Sequence, residues 1–410
     1  MPLSKASGLL ASAILGYIGI YLCRKNLSVA VPMLKEHFHV TKAEIGAISS
    51  YGTIAYAVGK VSFGPVIDRF GGRVCFLLAM SGAALFGGLG AFAPTLPVLM
   101  VLYSLNRFSG AAGWGSMAKQ VPDWFAGRRL ALPLAFLSLS FVFGGACATA
   151  LASVIAKYSH DNWQAVLGLP SLVLLAIIVA SWFVLPRHTP AATAANPHDP
   201  PRPNRWIEII AITKIPQFWV VCGLSFVLTI TRETFNDWAP DFFKTSGGPQ
   251  MSNTFAGFLS LPFDVIGAAG ILFFGWILDL LSGPQRRLLL FTTLVALAAL
   301  IYGLPEFIKW GVIPAAVALG MIGFLSYGPY SLLAGVFAVE IRGKESVGTV
   351  AGFVDASGYL GGGILAGYFF GSILDHGGYS RGFHTLAAIT SVAAILCLVL
   401  KGGDRRGRPA

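Results

Sequence analysis

The sequence predicts an all-α integral membrane protein, with twelve transmembrane helices in two pseudo-symmetric six-helix bundles. Three observations carry that expectation. Of 410 residues, 55% are hydrophobic and only 11% are charged, whereas charged residues make up roughly 25% of soluble domains. Twelve long apolar stretches are punctuated by charge, proline or glycine, and at about 20 residues per span they leave no room for a sizeable soluble domain. Motifs of the first half return in the second at near-constant distance, as expected of a duplicated helical unit. The alternating segments of about ten residues that mark a membrane β-barrel are missing.

The first span, near 8 to 33, opens after Lys5 and closes before Lys35. It exceeds a signal-peptide core and no clean cleavage site follows, so it is expected to remain as a helix. Lys42 and Asp68 bracket the second span, near 43 to 66, and Arg73 and Pro94 the third, near 74 to 93. The glycine-rich fourth runs from about 96 to 120, the fifth from 130 to 155 before Lys157, and the sixth from 164 to 185 before Pro186. Arg187 to Ile215 is the one long polar connection, rich in Pro, Ala and His and without periodicity. It is expected to be a linker, dividing the chain into a bundle at 1–186, the linker at 187–215 and a second bundle at 216–410. That bundle's spans fall near 217 to 241, 254 to 279, 287 to 304 (halted by Pro305), 310 to 338, 347 to 371 and 382 to 400.

Charge gives the orientation. Seventeen Lys and Arg lie on the side of both termini and the linker, against six on the opposite side, so both termini are expected in the cytoplasm of a multi-pass cell-membrane protein. The net charge of +11 is mostly this bias; scattered over short loops, it forms no stripe for nucleic acid. Cys23, Cys75, Cys147, Cys222 and Cys397 fall inside apolar runs and are expected as small buried hydrophobes. Gly59-Lys60 is followed by Val61 and lacks the upstream glycine of a nucleotide loop, and no His-Glu-x-x-His occurs. Neither cofactor nor metal is expected, nor an enzyme.

Gly64-x-x-x-Asp68-Arg69-x-Gly71-Gly72-Arg73 after the second span is echoed by Gly275-x-x-x-Asp279 with Arg286 and Arg287 after the eighth, at an offset of 211. Arg128-Arg129 recurs as Arg342 and Lys344 at about 214, and Arg24 as Arg232 at 208. An aspartate in such a turn can cap a neighbouring helix or pair with an arginine. Asp68, Arg69, Arg73, Arg128 and Asp279 are therefore candidates for a latch on the cytoplasmic side; the turn is otherwise a polar anchor.

Arg24 lies a few residues past the middle of its span, and Arg232 somewhat past the middle of the seventh. A mid-span arginine costs roughly 2.5 to 3.5 kcal/mol to insert and marks a functional position facing the bundle interior. With Lys60 of the second span, the two would make a cationic pocket. A guanidinium fork matches the oxygens of a phosphoryl group, so an oxyanion is the expected substrate. Alternatively Arg232 pairs internally with Glu233, Asp264 or Asp355. Asp264 can be a counter-charge, a proton carrier or a contact to substrate hydroxyls. Arg107 and Lys119, nearer the ends of the fourth span, either snorkel or face inward.

The Gly64-to-Arg73 turn resembles the signature turn of the major facilitator superfamily. Tyr21-x-x-Arg24-Lys25-Asn26, Ala55-Tyr56 with Lys60, Gly113-Trp114-Gly115, Arg232 with Asp237-Trp238-Ala239-Pro240, Ser326-Tyr327-Gly328-Pro329 and Gly358-Tyr359-Leu360-Gly361-Gly362 resemble that superfamily's organophosphate:inorganic phosphate antiporters. The likeness runs from Gly16 to about Gly371. It implies exchange of a phosphorylated small molecule for phosphate, with Arg24 and Arg232 gripping the phosphoryl group and Tyr17, Tyr21, Lys60 and Trp114 around it. Two positions depart from the pattern. Glycerol-3-phosphate transporters carry a histidine in the fifth span, where this chain reads Ser138-Leu-Ser140-Phe141-Val-Phe-Gly144-Gly145. Asp355 places an acid in the eleventh span, where bacterial phosphate-ester carriers usually have a neutral residue.

The expected protein is thus a monomeric exchanger in the lipid bilayer, with an anionic phosphorylated substrate and inorganic phosphate as partners. A proton-coupled symporter of another organic anion, such as a sugar acid, and a transporter-like sugar-phosphate receptor are the competing readings.

Overall fold

The structure, a computed structural model, describes residues 3–125, 131–186, 212–281, 283–333 and 353–398. Ten α-helices form the first ten spans: α1 (Leu3–Phe38), α2 (Lys42–Phe70), α3 (Gly72–Gly90), α4 (Leu96–Trp124), α5 (Ala131–Tyr158), α6 (Trp163–Val184), α7 (Pro216–Ser246), α8 (Asn253–Leu280), α9 (Gly283–Trp310) and α10 (Val312–Leu332). Two more, α11 (353–377) and α12 (379–397), are separated only by Gly378 at φ 63°, a left-handed conformation that costs glycine no Cβ clash. The described residues contain no strand.

Local chemistry explains several boundaries. The Thr41 hydroxyl accepts the Glu44 N–H at 3.2 Å while the Glu44 carboxylate accepts the Thr41 N–H at 2.8 Å, a reciprocal cap that starts α2. Asn162 starts α6 by accepting the N–H groups of Gln164 and Ala165. The sequence places a stop at Pro305, yet α9 runs through it to Trp310. In a membrane bundle neighbouring groups satisfy the carbonyl that a proline frees, so proline is a weak terminator there. Pro32, Pro170 and Pro262 likewise sit inside α1, α6 and α8. From Gly358 to Gly363 and from Leu365 to Phe369, α11 is wound as a π-helix, its hydrogen bonds spanning five residues.

Among the described residues, nine helical stretches are long and apolar enough to cross a membrane. α2 and α4 are not among them; each interrupts its apolar residues with glycines, hydroxyls and cations such as Lys60 and Arg107. Large apolar side chains including Leu78, Phe92, Phe183, Trp276 and Trp310 are more than 60% exposed, the surface a multi-pass membrane protein presents to lipid. Four cysteines are buried as expected, but Cys147 of α5 is exposed, because an apolar helix has a lipid-facing side as well as a packed one.

The helices pack as two units: Met1–Asp199 with Asp237–Leu261, and Pro200–Asn236 with Pro262–Ala410. In the first, α1 lies against α5 and α6, α3 against α4 and α6, and α2 against α4, around a core that includes Phe76, Met80, Met117, Trp124 and Leu174. Asn26 ties α1 to α6 by donating to the carbonyls of Val166 and Leu167 at 3.1 and 3.2 Å. Lys42, at the start of α2, meets Asp241 of α7 at 2.8 Å, with side chains 11% and 2% exposed.

In the second unit α9 packs against α10 and the Phe370–Cys397 helix. α8 and α10 touch where glycine removes the side chain: a methyl at Gly323 would lie 2.9 and 3.0 Å from the carbonyl carbon and Cα of Phe263, and one at Gly270 2.9 Å from the Cα of Phe324. Gly358 and Gly362 of α11 bring α11 equally close to Ser225, Thr229 and Ile230 of α7.

Candidate functional site

In the first unit three helices converge on one aromatic ring. Arg24 of α1 is 9% exposed, and its guanidinium lies 4.9 Å from the ring centre of Tyr56 on α2 and 5.1 Å from that of Tyr21, within cation–π range. The guanidinium of Arg107 on α4 lies 5.1 Å from the same Tyr56 ring, and the ammonium of Lys60 5.2 Å from it. Tyr103 donates its hydroxyl to the Arg24 carbonyl at 3.1 Å, and Arg107 donates to the Thr53 hydroxyl at 3.3 Å. Tyr17 packs against Tyr21 and Trp114, with ring centres 5.4 and 5.8 Å away. A pocket opens among these groups, lined by Tyr17, Ile20, Tyr21, Arg24, Tyr56, Asn106, Arg107 and Gly110. Gly110 and Gly113 let α4 approach α1, since a methyl at either would press on Ile20.

Arg24, Tyr17 and Tyr21 therefore line one pocket; Lys60 and Trp114 reach its edge through Tyr56 and Tyr17. The sequence marks Tyr56 only as part of a motif, and of the two readings open for Arg107 the inward one holds. Arg107 is buried in the middle third of α4 and does not snorkel; counting its position within the span reveals this. Lys119 does face inward, donating to the Ile67 carbonyl at 3.1 Å near the end of α2.

In the second unit Arg232 of α7 stands in a cage of tyrosines. Its guanidinium lies 4.1, 5.6 and 5.8 Å from the ring centres of Tyr330, Tyr359 and Tyr327. Nη2 donates to the Tyr359 hydroxyl at 2.8 Å and forms an ion pair with Glu233 Oε1 at 3.2 Å. Each tyrosine on α10 carries a carboxylate behind it: Tyr327 donates to Asp264 of α8 at 3.0 Å, and Tyr330 to Asp355 of α11 at 2.8 Å. Glu233 thus meets the arginine directly, while Asp264 and Asp355 are each anchored by a phenol. The acid of the eleventh span, Asp355, is half-buried, and the Tyr330 hydroxyl supplies it with a donor. Tyr330 and Tyr359 carried no sign of this role in the sequence, apart from lying in glycine- and proline-marked runs.

The latch candidates are spread out. Arg73 donates to the carbonyls of Leu185 and Trp182 at 3.0 and 2.9 Å, satisfying the carbonyl end of α6, and its guanidinium lies 5.0 Å from the Trp182 ring centre. Arg69 is exposed, 5.5 Å from the Phe70 ring centre. Asp68 and Asp279 fall near the ends of α2 and α8; their side chains, all of Arg128 and most of the linker lie outside the described residues. Among those residues, no three His, Cys, Asp or Glu side chains are placed to share a metal ion.

The profile of the Major Facilitator Superfamily matches residues 13–366. The chain is 27% identical to a glycerol-3-phosphate transporter of Bacillus subtilis, over 94% of this chain and 90% of that protein. It is 24% identical to a probable hexose phosphate transport protein of Chlamydia trachomatis, over 94% and 89%. Its fold is similar to that of a bacterial homologue of the human lysosomal transporter Spinster, with a TM-score of 0.79 at 13% identity, covering 97% of each chain.

Proposed function

This chain belongs to the major facilitator superfamily, and we propose that it exchanges an organic phosphate for inorganic phosphate by alternating access. The observation that carries the proposal is a pair of buried arginines. Arg24 and Arg232 recur at an offset of 208, each is less than 10% exposed, and each is framed by tyrosine rings that leave its charge intact. A guanidinium kept out of water is a strong ligand for phosphoryl oxygens. The named activities of the Bacillus and Chlamydia relatives point the same way.

In this reading Arg24 and Arg232 hold the phosphoryl group, and Lys60, Tyr17, Tyr21 and Trp114 complete its surroundings. Glu233 occupies the Arg232 fork at 3.2 Å and competes with the incoming phosphate, so a dianion displaces it more readily than a monoanion. Asp264 and Asp355 act as fixed acceptors for Tyr327 and Tyr330, which favours exchange over proton symport. The chain works as a monomer in the cell membrane, both termini cytoplasmic, as two bundles at 1–186 and 216–410 joined by a linker at 187–215. The Asp68 turn and its echo at Asp279, with Arg69, Arg73 and Arg128, close the cytoplasmic side.

The test is uptake of labelled phosphate by phosphate-loaded liposomes carrying the purified protein. Wild type exchanges; Arg24→Lys and Arg232→Lys, which keep the charge but lose the planar fork, lose exchange while still inserting. Near-normal exchange in both variants would remove the arginines from the site. No exchange by wild type would refute the antiporter and favour the receptor.

A further inference from the structure

Resting on the proposed phosphate exchange, we infer that Asn236 of α7 reads the carbon skeleton of the organic substrate: its carboxamide oxygen accepts a hydrogen bond from a substrate hydroxyl while Arg232 holds the phosphoryl group. The class so selected is an organic phosphate with a hydroxyl a few bonds from the ester, in preference to a deoxy ester of the same skeleton and charge.

Asn236 follows Arg232 by one helical turn within α7, so the two side chains share a face of the helix, with Cβ atoms about 5 to 6 Å apart. Tyr327 of α10 joins them. Its ring centre lies 5.8 Å from the Arg232 guanidinium, and its hydroxyl is hydrogen-bonded to the Asn236 side chain. That hydroxyl has one proton and gives it to Asp264 at 3.0 Å, so toward Asn236 it can only accept. The amide nitrogen of Asn236 therefore faces Tyr327, and the amide oxygen points away from it.

The oxygen so oriented is unsatisfied. Among the described residues no donor reaches Asn236 Oδ1, and Arg232 Nε likewise has no hydrogen-bond partner, although both atoms are buried. An acceptor and a donor buried without partners are costly, and a ligand that offers one of each removes both costs. A phosphoryl oxygen accepts from the guanidinium, and a carbon-bound hydroxyl donates to the carboxamide. Glu233, paired with Arg232 at 3.2 Å, cannot serve Asn236 in this way, because an ionised carboxylate has no proton to give. A site built to bond a substrate hydroxyl rejects the analogue that lacks it, since the protein group is then left unpaired.

The experiment uses esters of one skeleton and one charge. Glycerol 3-phosphate and propyl phosphate differ only in hydroxyls, and each is used to inhibit labelled phosphate exchange in liposomes. Wild type is expected to favour glycerol 3-phosphate by about tenfold or more, with propane-1,2-diol 1-phosphate and 3-hydroxypropyl phosphate as the arms that locate the hydroxyl Asn236 reads. Asn236→Leu, which keeps the bulk but has no acceptor, should bring the ratio near one. Asn236→Asp keeps an acceptor oxygen and should retain the ratio, while its charge weakens all the esters alike. The readout is a ratio, so a general fall in rate or yield leaves it unchanged. Thermal stabilisation of the detergent-purified protein by the same esters gives the preference without transport. Phosphate exchange without discrimination by wild type, or discrimination that survives Asn236→Leu, would overturn the inference and leave the antiporter standing. Equal loss of the ratio in Asn236→Leu and Asn236→Asp would assign the effect to the Tyr327 contact and overturn the acceptor role. Absence of phosphate exchange would refute the antiporter, and the stabilisation ratio would then decide the role of Asn236 by itself.

Discussion

Replacing Gly323 by alanine should loosen the second unit and weaken the Arg232 site together. The added methyl would lie 2.9 Å from the carbonyl carbon of Phe263 and 3.0 Å from its Cα, and would overlap the carbonyl oxygen. Carbon atoms settle at about 3.5 to 4.0 Å, so α8 and α10 must part by about 0.5 to 1 Å, and overpacking of this kind costs about 1 to 3 kcal/mol. The obstacle is main chain, which cannot rotate aside. One turn along α10, Tyr327 donates to Asp264, the residue after Phe263, at 3.0 Å. Widening the gap by the same amount takes that bond to or past the 3.5 Å at which a hydrogen bond fades, forfeiting about 1.5 to 3 kcal/mol for a charged acceptor. Gly320→Ala is the control, since its methyl meets only side-chain atoms of Ile266 and Pro262, and Ile266 can turn away. Melting of the detergent-purified protein and the apparent phosphate affinity in liposomes are the assays. Gly323→Ala should melt well below both wild type and Gly320→Ala and bind phosphate more weakly. A Gly323→Ala protein with wild-type melting and affinity would refute the close crossing and its link to the site.

Asp241→Asn breaks the buried pair with Lys42 and should cost about 3 to 5 kcal/mol, read as a lower melting temperature that the double change Lys42→Met with Asp241→Leu largely restores. Asp355→Asn retains an oxygen that can accept from Tyr330, so exchange should survive with its response to an imposed pH gradient unchanged; loss of that response in well-folded protein would establish Asp355 as a proton carrier. Asp68→Asn should slow exchange far more than it weakens phosphate affinity, because a latch acts on the transition between states; equal losses would argue against a latch.

Spans and the two central arginines were legible because insertion cost is a one-dimensional property. A guanidinium within twenty apolar residues stands out whatever surrounds it, as Arg24 and Arg232 do. The tyrosine cage was not legible: Tyr327, Tyr330 and Tyr359 would look the same facing lipid, core or arginine, and only the meeting of α7, α10 and α11 decides. Lys42 and Asp241 are far apart in the chain, each near a span boundary where a charge needs no partner. Pro305 misled because proline's cost in water does not carry over to a bundle that re-satisfies its backbone. Gly378 hid a one-residue corner inside what the sequence presents as a wide gap between spans.

The π-wound stretch of α11 has a geometric effect on its neighbour. Buried residues there recur as pairs, Gly358 and Tyr359, Gly362 and Gly363, Ala366 and Gly367, Phe370 and Gly371, a strict interval of four. In an ordinary α-helix that interval drifts by about 40° at each step, so a glycine-bearing stripe would wind around the axis like a screw thread. The wider winding turns each residue through a smaller angle, which opposes that drift and holds the stripe nearer one face of the helix. Ser225, Thr229 and Ile230 of α7 lie against Gly358 and Gly362, so the stripe keeps α7 on one face of α11, and from that stretch Tyr359 reaches Arg232 at 2.8 Å.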